Sequence, residues 1–364
     1  MARALSWNVI VMVIVVLLGH SEVLQVRAVA QVAQFIFGDS LVDQGNNNNL
    51  NSIAKANFKP NGVDLAEFDY QPTGRFSNGR LVSDFISAYM GTEPVATYAE
   101  ATDQDLLRGA NFASAGSGIL DDTGNIFLAK IPINQQIANF QTAKSQLESQ
   151  IGPAATDQLL AKAIFAFTTG GNDFINNYLL PISPRAAQYN IGQYTTLLIN
   201  TFEGQLTQVY DLGARKISIA NIGPIGCIPD KLQSNSLDGS CVDQFNQVAM
   251  GFNSELKPML DSLTTQLPGL IITYSDSYSM VWDIIQNPSN YGFESINTAC
   301  CGSGRFNGLI PCNVLTNLCP DRTKYLFWDP FHPSERANSI VVEKLLFGPP
   351  ENISPMNLSQ LIPL

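Results

Sequence analysis

The chain has 364 residues, of which 45% are apolar, and a formal net charge of −11. It is long and apolar enough to bury a sizeable core, which excludes a disordered chain. The acidic balance argues against nucleic acid, whose phosphates need a lysine- and arginine-rich face, and against a polybasic membrane anchor.

In chain order, residues 1–30 read as a signal peptide. Arg3 is a short basic start, Val9 to Leu18 is an unbroken apolar run, and Ala28-Val29-Ala30 is a small-residue cleavage signature. The run is too short to cross a bilayer, which takes roughly 20 residues. Loss of the leader removes Arg3, Glu22, Arg27 and His20, leaving 18 basic and 30 acidic residues and a single histidine. No later stretch is long and apolar enough to span a membrane. The expected location is extracellular.

Five short apolar or β-branched runs predict strands: Gln34–Phe37, Arg108–Phe112, Ala163–Thr168, Lys216–Ala220 and Leu270–Tyr274. Helical spacing appears between them, over Gln135–Ile151, Tyr194–Tyr210 and Val242–Leu263, with Pro258 a potential kink in the last. A closing helix, Glu335–Phe347, follows the start signal Pro333-Ser334. Alternating strands and helices predict a parallel sheet covered on both faces. The stretch from Asp43 to Arg80 breaks this rhythm; it is rich in Asn, Gly and Pro, and long loops of this kind are functional or disordered. One domain over 31–350 is the simplest reading, with 351–364 a tail carrying two sequons, at Asn352 and Asn357. Pro355 disfavours use of the first.

All six cysteines follow the leader. An even count in a secreted chain implies disulfides, and the spacings for a metal site are missing. Short loops favour Cys227 with Cys241, and Cys300 and Cys301 each with one of Cys312 and Cys319.

The sole remaining histidine, His332, lies in Trp328-Asp329-Pro330-Phe331-His332-Pro333. Two prolines stiffen the segment, and the spacing lets Asp329 reach Nδ1 of the ring and leaves Nε2 free as a base. Ser40 is the candidate nucleophile, in Phe37-Gly38-Asp39-Ser40-Leu41 directly after the first strand. Loops beyond the carboxyl ends of parallel strands form the active face. Gly116 follows the second strand and Asn172 the third. The N–H groups of Ser40 and Gly116 with the Asn172 amide would form an oxyanion hole. Arg75 and Arg80 read as ion pairs shaping the loop more than as substrate contacts, Asn46–Asn49 as turn scaffolding, and Gly223–Pro229 as a rigid, cross-linked turn.

These residues resemble the plant GDSL esterase/lipases of the SGNH hydrolase superfamily. The resemblance rests on six ordered blocks. They are Phe37–Asp43 with Gly45–Asn48, Pro72–Arg80, Asn111–Gly116, Gly170–Asp173, Leu212–Pro229, and Cys300–Gly302 with Tyr325–Asn338. It runs from about residue 35 to 345. It departs in Ala115-Gly116-Ser117-Gly118, where Gly-Gly-Ala-Gly is more usual although Gly116 stays, and at Gln44, where a smaller residue is common. It implies a flavodoxin-like three-layer α/β/α sandwich with a central parallel sheet of about five strands. It also implies hydrolysis of carboxylic esters through an acyl-serine, without metal or cofactor, with Ser40, Asp329 and His332 catalytic and Gly116 and Asn172 at the oxyanion. Some members pass the acyl group to alcohols, so a polyester-building acyltransferase, as for cutin, stays open. So does an inactive binding protein on the same fold.

Overall fold

Four phenylalanines on neighbouring strands, Phe35, Phe37, Phe165 and Phe167, stack into one face of the central sheet, with Phe37 and Phe167 centroids 4.7 Å apart. The computed structural model describes residues 32–364, so the expected leader lies outside the described residues. The five parallel strands are β1 (Gln34–Gly38), β2 (Gly109–Asn111), β3 (Ile164–Thr168), β4 (Lys216–Ala220) and β5 (Ile271–Ser275). Their order is β2-β1-β3-β4-β5, all parallel, with Gly38 beside Thr168 and Ala220 beside Ser275. Each expected strand forms, shifted by at most a residue or two at its ends.

The helices divide between the two faces. Helices α2 (Ile133–Ile151), α4 (Ile191–Asp211) and α5 (Asp243–Gln266) bury Phe140, Leu147, Leu198, Phe202, Phe252 and Leu256 against the phenylalanine face, forming one continuous core. Pro258 lies within α5 without interrupting it. Helices α1 (Val82–Tyr89), α6 (Ser277–Gln286) and α7 (Glu335–Phe347) cover the opposite face, and α3 (Pro153–Lys162) leads into β3. Ser334 caps α7, its hydroxyl accepting from the Ala337 N–H at 3.2 Å. Three-layer α/β/α architecture is therefore present. No helix among the described residues is long and apolar enough to cross a membrane.

The segment 351–364, read from sequence as a tail, is instead part of the domain. Ile353–Ser354 adds a sixth strand, β6, antiparallel on β5, and Leu358–Leu361 forms a last turn of helix, α8. Leu358 and Leu361 are 2% and 0% exposed and pack with Val342 and Leu345 of α7. Asn357, in the second sequon, caps α8 by accepting from the Gln360 N–H at 3.2 Å.

The disulfides are Cys227–Cys241, Cys300–Cys319 and Cys301–Cys312, which resolves the pairing the sequence left open. The last two staple a small ribbon in which Cys301–Gly302 pairs with Asn317–Leu318.

Leu361→Ala tests the docking of the C-terminal segment. Removing a fully buried leucine side chain leaves a cavity and costs about 2–5 kcal/mol. The urea midpoint should fall accordingly; an unchanged midpoint would detach residues 351–364 from the core.

Candidate active site

Ser40 sits two residues beyond β1, in a turn that only glycine at position 38 permits. Gly38 has φ +146°, and a Cβ there would collide with the Thr168 carbonyl. The Gly38 peptide is clamped on both sides. Its N–H donates to Gln136 Oε1 at 2.9 Å, and its carbonyl accepts from Gln136 Nε2, from the Ser114 N–H and from Ser117 Oγ at 2.7 Å. Ser117, part of one of the two departures from the family pattern, thus anchors the strand end. Gln44, the other, donates to Asp84 and accepts from Asn111.

His332 arrives from the far end of the chain. Asp329 Oδ1 accepts from the backbone N–H groups of Phe331 and His332, both at 2.8 Å, which closes the Asp-x-x-His turn. Both Asp329 oxygens lie 2.8 Å from His332 Nδ1. His332 Nε2 lies 2.7 Å from Ser40 Oγ. Asp329 and His332 are 6% and 7% exposed, so the contact is shielded from bulk water. The turn is backed by the disulfide-held pair Cys300-Cys301, whose N–H groups donate to the carbonyls of Phe327 and Trp328. Phe76 lies against the imidazole, centroid to centroid 4.9 Å.

The three expected donors line one cavity together with Ser40 and His332. The N–H groups of Ser40 and Gly116 make no hydrogen bond among the described residues. Gly116 has φ +82°, and a Cβ would lie 2.5 Å from the Phe127 ring. Asn172 donates one amide hydrogen to the Ser117 carbonyl at 2.9 Å, accepts from Asn176, and keeps its other hydrogen free. The arrangement supplies a hydroxyl, an oriented base and three donors converging on one pocket, the parts of acyl transfer.

Three carboxyls behind the site had no assigned role in the sequence reading. Burial pushes Asp39 up to about 7, and Asp43 and Asp173 each up to about 6. Asp43 accepts from the N–H groups of Gly45, Asn46 and Ala115, and Asp173 from those of Ile119 and Leu120. Asn46 and Asn47 extend the same frame, donating to the carbonyls of Asn111, Ala113 and Ala115. Phe76 was also passed over, although the neighbouring arginines were noted. Those arginines make the expected ion pairs, Arg75 with Asp84 at 2.8 Å and Arg80 with Glu67 at 2.6 Å. Among the described residues no cluster of three histidine, cysteine or carboxylate groups could hold a metal ion.

The family model described as GDSL-like Lipase/Acylhydrolase matches residues 35–345. The chain is 43% identical over 340 residues to GDSL esterase/lipase At2g23540 of Arabidopsis thaliana, covering 90% of this chain and 87% of that one. It is 44% identical over 336 residues to GDSL esterase/lipase At4g16230 of the same plant, covering 90% of each. GDSL esterase/lipase LTL1, also from Arabidopsis thaliana, is 42% identical over 330 residues, again 90% of each. With the family model covering 35–345 and relatives above 40% identity along nine-tenths of its length, the chain belongs to the GDSL esterase/lipase family of carboxylic ester hydrolases.

Proposed function

We propose that the protein is a secreted serine esterase that works through an acyl-Ser40 intermediate. The observation carrying this reading is the unbroken relay from Asp329 through His332 to Ser40 at the mouth of an apolar cavity. Asp329, fixed by two backbone N–H groups, holds Nδ1–H and stabilises the imidazolium that forms as Nε2 takes the Ser40 proton. Ser40 Oγ attacks the ester carbonyl. The developing oxyanion is met by the N–H groups of Ser40 and Gly116 and by the Asn172 amide, donors already fixed in direction before substrate arrives. His332 then protonates the departing alcohol and, in the second half, deprotonates the water that releases the acid. The three disulfides support a route through an oxidising compartment, in line with the apolar N-terminal run.

A fluorophosphonate probe should label the protein once, and Ser40→Ala should abolish labelling and ester turnover alike. A folded protein that resists the probe would instead be a binding protein on a hydrolase fold. His332→Ala should remove nearly all activity while the urea midpoint stays close to that of the parent. Full activity would overturn the relay, since no other histidine exists among residues 31–364.

Asn172→Ala leaves the relay intact and removes one donor. Turnover should fall about 10²–10³-fold with KM changed much less, because the lost bond is made mainly in the transition state. A KM effect with kcat unchanged would move Asn172 from the oxyanion to ground-state binding.

A further inference from the structure

The two faces of the sheet are filled differently. The phenylalanine face is one continuous core, but the apolar residues on the other face fall into separate clusters around Ile86, Ile284 and Ile36. A cavity of about 400 Å³ divides them and continues to Ser40 and His332. Its floor is made of small side chains in register, Ala166 beside Ser218 and Thr168 beside Ala220, which retain accessible surface although they lie on central strands. Its roof is helical: Val82 and Ile86 of α1, Val281 of α6, and Ala337 and Val341 of α7. The far end is formed by Gln34, at the opposite end of β1 from Ser40, and by Ser83. Gln34 and Ser83 are 1% and 3% exposed, yet Gln34 Nε2 and Ser83 Oγ find no partner among the described residues.

We infer that this hollow layer is the acyl channel of the enzyme, running from Ser40 beneath α7 to a polar end wall at Gln34 and Ser83. The inference rests on the esterase reading above and assigns its substrate class, esters of a medium-length acyl chain. The four residue steps from Gly38 to Gln34 span ~13 Å at about 3.3 Å each. A zigzag chain advances about 1.2 Å per bond, so the channel takes about ten carbons. Apolar walls reward each methylene that enters. The end wall sets the limit: its amide and hydroxyl are unpaired and closed to solvent, so a methyl terminus that reaches them gains no further apolar contact and presses on polar atoms it cannot satisfy. Ala166 and Ser218 are then specificity-determining, because larger side chains there would close the channel near its middle.

The test is kcat/KM across p-nitrophenyl esters from acetate to palmitate. The parent should rise with chain length to about decanoate and then fall, a pocket methylene being worth roughly tenfold or more at best. Ala166→Phe from the floor and Val341→Trp from the roof should each lower the decanoate-to-acetate ratio at least about tenfold. Ser83→Ala, which removes half of the polar end, should raise acceptance of dodecanoate relative to decanoate by about threefold or more. A parent profile flat from acetate to palmitate overturns the channel without any variant, as does a decanoate-to-acetate ratio unmoved by both blocking substitutions. Failure of the parent on every ester, together with failure to react with fluorophosphonate, would sink the esterase reading instead.

Discussion

The hydrogen bond from Ser40 to His332 joins residues 292 positions apart, and the rest of the molecule is arranged so that it can form. Neither partner belongs to a strand or helix. Each stands on a short loop that must be held to a fraction of an ångström, since a misplacement of about 1 Å can cost a factor of a hundred in rate. The irregular stretch from Asp43 to Arg80 does most of that holding. Asn61 accepts from the Trp328 indole at 2.9 Å, Asp64 receives Arg322 at 2.8 Å, and Asn78 accepts from the Glu335 N–H at 2.9 Å. Asn338 of α7 donates back to the Arg80 carbonyl at 2.9 Å. The same stretch begins at Ser40's own turn. It therefore connects the loop of Ser40 to the segment around His332.

The loop carrying Gly116 is braced in a parallel way. Its backbone donates to Asp43 on one side, through Ala115, and to Asp173 on the other, through Ile119 and Leu120. Gly118 leaves room for Asp173 and Thr123, which occupy the space a Cβ would need. A buried carboxyl is an expensive brace, and burial shows in the raised affinity of Asp43 and Asp173 for protons. It has one advantage over a neutral acceptor: its two oxygens together take two or three N–H groups, so one side chain fixes two or three peptides. Both braces lie immediately downstream of a residue proposed for catalysis, Ser40 or Asn172. Turn and brace are thus set by the same few residues.

Locality decides how much of this was legible in the sequence. The Asp329–His332 turn, the Gly38–Ser40 turn and the strands before Gly116 and Asn172 are each contained in a few residues, and their chemistry could be read directly. Helices α1, α3 and α6 were missed because two or three turns give the 3.6-residue pattern few repeats to show. The C-terminal segment was misread because its four buried anchors, Ile353, Leu358, Leu361 and Ile362, are spread among Asn, Ser and Pro. Asp43 and Asp173 were in plain view, but the Gly116 loop they hold lies 72 residues from the first and 53 and 54 from the second, a distance that no local pattern spans.

The hollow layer belongs to the same class of non-local feature. Ala166 and Ser218 are unremarkable strand residues until the register sets them side by side under α7. A closed, dry void of 400 Å³ would cost about 10 kcal/mol at ~24 cal/mol per Å³ of cavity, as much as the whole stability of an ordinary domain. The layer escapes that cost because it opens beside Ser40, so that solvent or ligand fills it. The phenylalanine core secures the other face of the sheet. Strand β6 and helix α8 seal the side of the hollow layer next to β5, where Leu358 belongs both to the cavity wall and to the cluster with α7. The C-terminal segment that read as a tail in sequence is therefore part of the wall of the open face.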